Sequence, residues 1–230
     1  MNPNDPNVQM IEAAVQSLGG DLCERVVFVG GSTTGLLITE VSRPAARATQ
    51  DVDVIVELAS LPAYYELEKE LRARGFRSDT EVICRWHVGS LKFDVIPTRD
   101  VGLGFENRWY PLAAQNANRL RLPSGAVIRV VAPPYFIGTK LEAFYGRGRG
   151  DYGASHDMED IISIVDGRYE LAEEILAADA ELREYIREEF DDLISRPDFL
   201  ESLAWHLPGD ATNQARLPEL IRRLREIAGL

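Results

Sequence analysis

Two adjacent prolines, Pro133 and Pro134, divide this 230-residue chain into stretches of different character. Ahead of them, short apolar runs rich in valine (RVVFVG, DVDVIVEL, EVICRWHVGSLKFDVIPT and AVIRVVAPP) read as strands set between helical segments. Behind them, YFIGTKLEAFYGR, SHDMEDIISIVDG, YELAEEILAA, DAELREYIREEFDDLIS, PDFLESLAWHL and LPELIRRLREIAG all repeat apolar residues at helical spacing. The expected organisation is an α/β half over residues 1–132 and an all-helical half over 133–230. With 45% hydrophobic residues the chain can bury a real core, which excludes a disordered reading.

Local signals sharpen the first half. NDPNVQMIEAAVQSLGG reads as an amphipathic helix with Pro6 in its first turn and Gly19-Gly20 at its end. SLPAYYELEKELRARG is a second helix, capped by Ser60 and stopped by Gly75. Gly89-Ser90 joins two strands as a hairpin. LAAQNANRLRL is left as a mixed helix or strand.

The chain carries 25 basic and 37 acidic residues, a net charge of −12, which argues against a general coat for nucleic acid. That charge is unevenly spread. Residues 72–149 hold thirteen lysines and arginines against six acids, whereas 169–230 hold seven against fifteen. The basic stretch, with Arg108, Arg119, Arg121, Arg129, Arg147 and Arg149, is suited to an anion; the acidic one suits a solvated helical surface. Cys23 and Cys84 lack zinc or disulfide spacing and read as small buried side chains. No apolar run approaches the ~20 residues of a membrane span, and the N-terminus has no signal-like core, so the expected location is the cytoplasm without a membrane partner.

Asp51 and Asp53 interrupt a segment that is otherwise a buried strand. Alternation puts Val52, Val54 and Val56 on one face and Asp51, Asp53, Ile55 and Glu57 on the other. Two like charges side by side are costly unless a cation lies between them. In LKFDVIPT, Asp94 projects from the face opposite Leu91, Phe93 and Val95. Should that strand neighbour the Asp-x-Asp strand, three carboxylates converge. Hard oxygen ligands with open positions suit magnesium, which also recruits phosphate oxygens.

Gly30-Gly31-Ser32 supplies a second element. The glycines let backbone approach a ligand closely, a following helix presents free N–H groups to an anion, and Ser32 adds a hydroxyl. A phosphate cradle beside a metal-binding acid cluster means nucleotide chemistry on a magnesium-bound triphosphate.

The order of strand, Gly-Gly-Ser, helix, acid pair and a third acid on a later strand resembles the nucleotidyltransferase superfamily with a polymerase-beta-like core. Lys-Leu-x-Ala at Lys140–Ala143, arginines shortly after, and Asp-x-x-Asp at Asp157 and Asp160 are similar to the AbiEii/AbiGii toxin-type nucleotidyltransferases. The likeness covers about Val26–Gly167. It implies an α+β fold, a small mixed sheet with helices followed by a helical half. It also implies transfer of a nucleotide from an NTP, with RNA as one acceptor class. By that resemblance Ser32, Asp51 and Asp53 form the first motif, Lys140 the second, and Asp157 and Asp160 the third. The eighteen residues between Ser32 and Asp51 are a long interval, and EVSRPAARAT within it reads as an inserted loop.

The resulting expectation is a nucleotidyltransferase in which Asp51, Asp53 and Asp94 hold two Mg2+ ions and Asp94 takes the acceptor proton. Gly30, Gly31, Ser32 and Lys140 hold the triphosphate, Lys140 as a compact point charge on its outer oxygens. Asp157, Asp160 and Arg147 position the acceptor or sugar, or Lys140 itself. The acceptor is expected to be RNA, at a 3′ end, in a toxin–antitoxin setting with a cognate antitoxin protein. Transfer to a small hydroxylated molecule or a protein side chain, and nucleotide binding without turnover, are the alternatives. His156 is read as a surface or capping residue; His87 and His206 are read as structural.

Overall fold

In this computed structural model, residues 1–104, 106–147 and 150–230 are described; Arg149 of the basic stretch lies outside the described residues. Valine-rich β1 (Val26–Val29) and β2 (Val52–Val56) lie antiparallel near the middle of a seven-stranded sheet. The other strands are β3 (Arg77–Ser78), β4 (Arg85–Val88), β5 (Leu91–Pro97), β6 (Asn118–Arg121) and β7 (Val127–Val130). Their order across the sheet is β3-β4-β5-β2-β1-β7-β6. The β2–β5 and β1–β7 pairs are parallel and the rest antiparallel, so the sheet is mixed. All four residues of β1 are buried, as expected for an apolar central strand with no solvated face.

The chain divides into two compact units. Residues 1–36 and 47–132 form the first, and residues 37–46 and 133–230 the second. In the first, α1 (Pro6–Leu18) starts at Asp5, whose carboxylate accepts from the N–H groups of Asn7 and Val8, with Pro6 in the first turn. It buries Val8, Ile11, Ala14 and Leu18 at helical spacing. After α2 (Gly20–Arg25) and β1, the Gly-Gly-Ser segment forms a 3-10 turn over Gly31–Thr33 and then only a four-residue α3 (Thr34–Leu37). The helix α4 (Leu61–Ala73) is capped by Ser60, whose hydroxyl accepts from Ala63 N–H. The ambiguous LAAQNANRLRL resolves into α5 (Tyr110–Gln115) followed by β6.

The second unit is helical: α6 (Pro133–Arg147), α7 (His156–Gly167), α8 (Leu171–Ala177), α9 (Ala180–Ile194), α10 (Pro197–Ser202), α11 (Ala211–Gln214) and α12 (Leu217–Ala228). A mixed α/β half and a helical half are thus both present. Of the inserted loop expected over residues 40–49, residues 40–46 belong, with 37–39, to the second unit, and residues 47–49 to the first. Thr39 and Glu40 N–H groups donate to Gly167 O, and Arg43 Nε donates to Asp166 O. Glu40 pairs with Arg43 at 3.0 Å and with buried Arg223 at 2.9 Å. Among the described residues, no helix is long and apolar enough to cross a membrane.

Candidate active site

Parallel pairing of β2 with β5 sets Asp53 opposite Asp94, so the strand adjacency that brings the acids together is present. Asp51 stands just before β2. What lies among them is a protein cation. Arg85 donates from Nε to Asp94 Oδ1 at 2.7 Å and from Nη2 to Asp94 Oδ2 at 2.7 Å, and Nη2 reaches Asp51 Oδ2 at 3.2 Å. Asp94 comes first among the groups that hold the Arg85 guanidinium pKa above its ordinary value. Arg85 was not foreseen, yet the hairpin contains the signal. A two-residue turn at Gly89-Ser90 pairs Val88 with Leu91, and three steps back the same register pairs Arg85 with Asp94.

Arg85 is approached from a strained residue. Cys84 has φ +66°, a left-handed conformation that a side chain rarely adopts, and its carbonyl accepts from Val95 N–H at 2.8 Å. Tyr64 Oη lies 3.6 Å from its sulfur. Asp79, just after β3, meets His87 Nε2 of β4 at 2.7 Å, so His87 ties these neighbouring strands together, a structural role.

Gly30 ends β1 at φ +70° and ψ −171°, a region essentially reserved for glycine. A Cβ there would stand 2.8 Å from Asp53 Cγ and collide with Oδ2. Only a glycine lets the turn close onto this carboxylate. The hydroxyls of Ser32 and Thr34 are fully buried and have no hydrogen-bond partner among the described residues, whereas Thr33 Oγ1 donates to Gly30 O at 2.8 Å. Polar atoms buried in that state are costly unless something pairs with them. The helix expected to offer its dipole here is only one turn long. What the turn offers instead is close backbone approach and two hydroxyls.

In the second unit Lys140 is buried, and its Nζ donates to Asp160 Oδ2 at 2.6 Å and to Asp157 Oδ1 at 3.0 Å. Burial opposes its charge, but Asp160 and Asp157 outweigh burial and hold its pKa above the ordinary lysine value. Arg147 forks onto Asp157, from Nε and Nη2, each at 2.9 Å. Burial works to raise the Asp157 pKa, yet Arg147 and Lys140 bring it below the usual carboxylate value. Asp157 and Asp160 sit on one face of α7 behind the Ser155 cap, as their spacing implies, and they hold Lys140. His156 is exposed and meets Glu159 at 3.3 Å; His206 Nε2 meets Tyr152 O at 2.7 Å.

Among the described residues, no group of three or more acids, histidines or cysteines is arranged to hold a metal ion. Both oxygens of Asp94 are engaged by Arg85. In donor chemistry the residues nevertheless fit a hard divalent cation: Asp53 stands opposite Asp94 across the paired strands, and Asp94 and Asp51 already share one cation, Arg85.

No family profile and no curated protein matches the chain. The solution structure of the antibiotic-resistance factor ANT(2'')-Ia is similar at 16% identity and a TM-score of 0.46, over 81% of this chain and 94% of that one.

Proposed function

We propose that the chain is a magnesium-dependent nucleotidyltransferase that moves a nucleotide from an NTP to an acceptor hydroxyl. The observation that carries this reading is the close approach of Gly30 to Asp53, with the unpartnered hydroxyls of Ser32 and Thr34 in the same turn and Asp94 paired beside Asp53. Asp51, Asp53 and Asp94 would hold the metal. A divalent cation bound there supplies charge neutralisation for the phosphates. Gly30, Gly31 and Ser32 bring backbone and a hydroxyl to the triphosphate. The acceptor oxygen attacks the α-phosphorus, the bond to the β-phosphate oxygen breaks, and pyrophosphate leaves. Asp94 takes the acceptor proton, which requires that Arg85 no longer hold its oxygens.

RNA is the proposed acceptor. The supporting feature is β6, an edge strand that exposes Arg119 and Arg121, in a protein that is otherwise acidic. Phosphate contacts from such residues give affinity without reading sequence. Incubation with each labelled NTP, magnesium and total cellular RNA should release pyrophosphate and label RNA, and Asp53→Asn should abolish both. Failure of every NTP to yield pyrophosphate would remove the enzymatic reading; label on a protein or small molecule would replace the RNA acceptor.

A further inference from the structure

Arg85 answers the question of which cation separates Asp51 from Asp94, and it does so with the chain's own charge. Its planar fork takes one hydrogen bond to each oxygen of Asp94, at 2.7 Å on both prongs, and its Nη2 also reaches Asp51 at 3.2 Å. Such bidentate, charge-assisted pairs combine strength with a fixed geometry. The backbone keeps Arg85 in place: hairpin register sets it across from Asp94, and Cys84 enters it through a left-handed residue. Strain of that kind persists where surroundings over-determine it and clusters at functional sites. The Arg85 side chain is 24% exposed, so it is not sealed inside the protein.

We propose that Arg85 is a resident counter-cation of the carboxylate cluster, which a divalent ion must displace from Asp94 before the cluster holds that ion. This rests on the metal-binding reading given above. Binding is then an exchange of one cation for another rather than the filling of a repulsive site. Two consequences follow from the geometry. Without metal, the three acids are tolerated because Arg85 offsets their charge. With metal, affinity is set partly by what it takes to break the fork, so occupancy responds to metal concentration over a higher range than three bare carboxylates would give.

The test is titration of wild type, Arg85→Gln and Arg85→Lys with manganese(II), with free ion counted by electron paramagnetic resonance and the melting temperature of each metal-free protein recorded. Arg85→Gln should bind manganese about tenfold more tightly, within the usual range of coupling between two ligands, and should melt lower without metal. Arg85→Lys keeps the charge but cannot form the fork, and should fall between the two. If Arg85→Gln does not fold, Arg85→Lys carries the same comparison. Manganese affinity unchanged or weakened in the variants, with wild type binding normally, would overturn the role of Arg85 and leave the metal reading standing. No manganese binding by any of the proteins would remove the metal reading and this inference together.

Discussion

Gly30 and Asp53 are in contact so close that the smallest added side chain would remove it: a Cβ on Gly30 would lie 2.8 Å from Asp53 Cγ. Gly30→Ala must therefore displace the carboxylate and also force alanine into a glycine-only conformation, at about 1–3 kcal/mol. The melting temperature should fall by several degrees, at roughly 2–4 °C per kcal/mol for a chain of this size. Pyrophosphate release should fall about a hundredfold, since a misplacement of ~1 Å has that effect. A Gly30→Ala protein with wild-type turnover would show that this carboxylate is not used.

Two cations on Asp157 should differ sharply in what they contribute. Lys140 is buried against Asp157 and Asp160, so Lys140→Met removes the buried ammonium that both acids bind and should cost about 3–5 kcal/mol. The Arg147 side chain is 73% exposed, and Arg147→Ala should cost less than about 1 kcal/mol. Urea denaturation of the two variants checks this. Calorimetry on Lys140→Met with an NTP then separates the two roles considered for this residue, because an intact nucleotide affinity would leave Lys140 a purely structural one.

Stability should decline with acid in two windows. His206 is held below the ordinary histidine value of 6.5, first because burial disfavours its charge. A depressed folded value means that the unfolded chain takes up the proton first, so stability is present above pH 6.5 and is lost as pH falls through the folded value. For Asp157, burial is outweighed by Arg147 and Lys140, and the folded value lies below 3.8. Its contribution is likewise present above that pH and lost as pH falls further. In denaturation at a series of pH values, His206→Gln should flatten the curve in the upper window alone, and Asp157→Asn in the lower one alone. A curve unchanged by His206→Gln below pH 6.5 would contradict the first assignment.

The edge-strand arginines should govern acceptor binding and little else. Arg119→Glu with Arg121→Glu should weaken RNA binding and flatten its salt dependence by about 0.7 per lost phosphate contact on a single strand. NTP affinity should stay at the wild-type value. Normal RNA labelling by the double variant would move the acceptor elsewhere.

Much of this arrangement is legible in the linear chain. Period-two alternation in DVDVIVEL exposes the acids, and a two-residue hairpin turn implies every cross-strand partner behind it, including the Arg85–Asp94 pair. Asp157 and Asp160 declare a shared helix face by their spacing. What carries no such mark is pairing between elements whose separation has no period. Lys140 is seventeen and twenty positions from the acids that bind it, and nothing in its own helix says that it is buried. Glu40 lies 183 positions from Arg223, so a segment rich in alanine, arginine and proline looks like a bare insertion until its distant partner is known. α3 ends at Leu37, the first residue of the 37–46 segment of the second unit.

The strap over residues 37–46 has a consequence for how the chain is made. A ribosome delivers Glu40 and Arg43 long before it delivers Asp166 and Arg223, so this short stretch emerges without those distant partners while the rest of the first unit is still being made. The second unit starts before the first is finished and ends after it, and no single cut releases either one whole. A fragment stopping at residue 132 carries an orphaned piece of the helical unit, and a fragment starting at 133 lacks the piece that Gly167, Asp166 and Arg223 bind. Mixing the two fragments should restore helical stability that neither has alone, which makes the order of synthesis part of the folding problem.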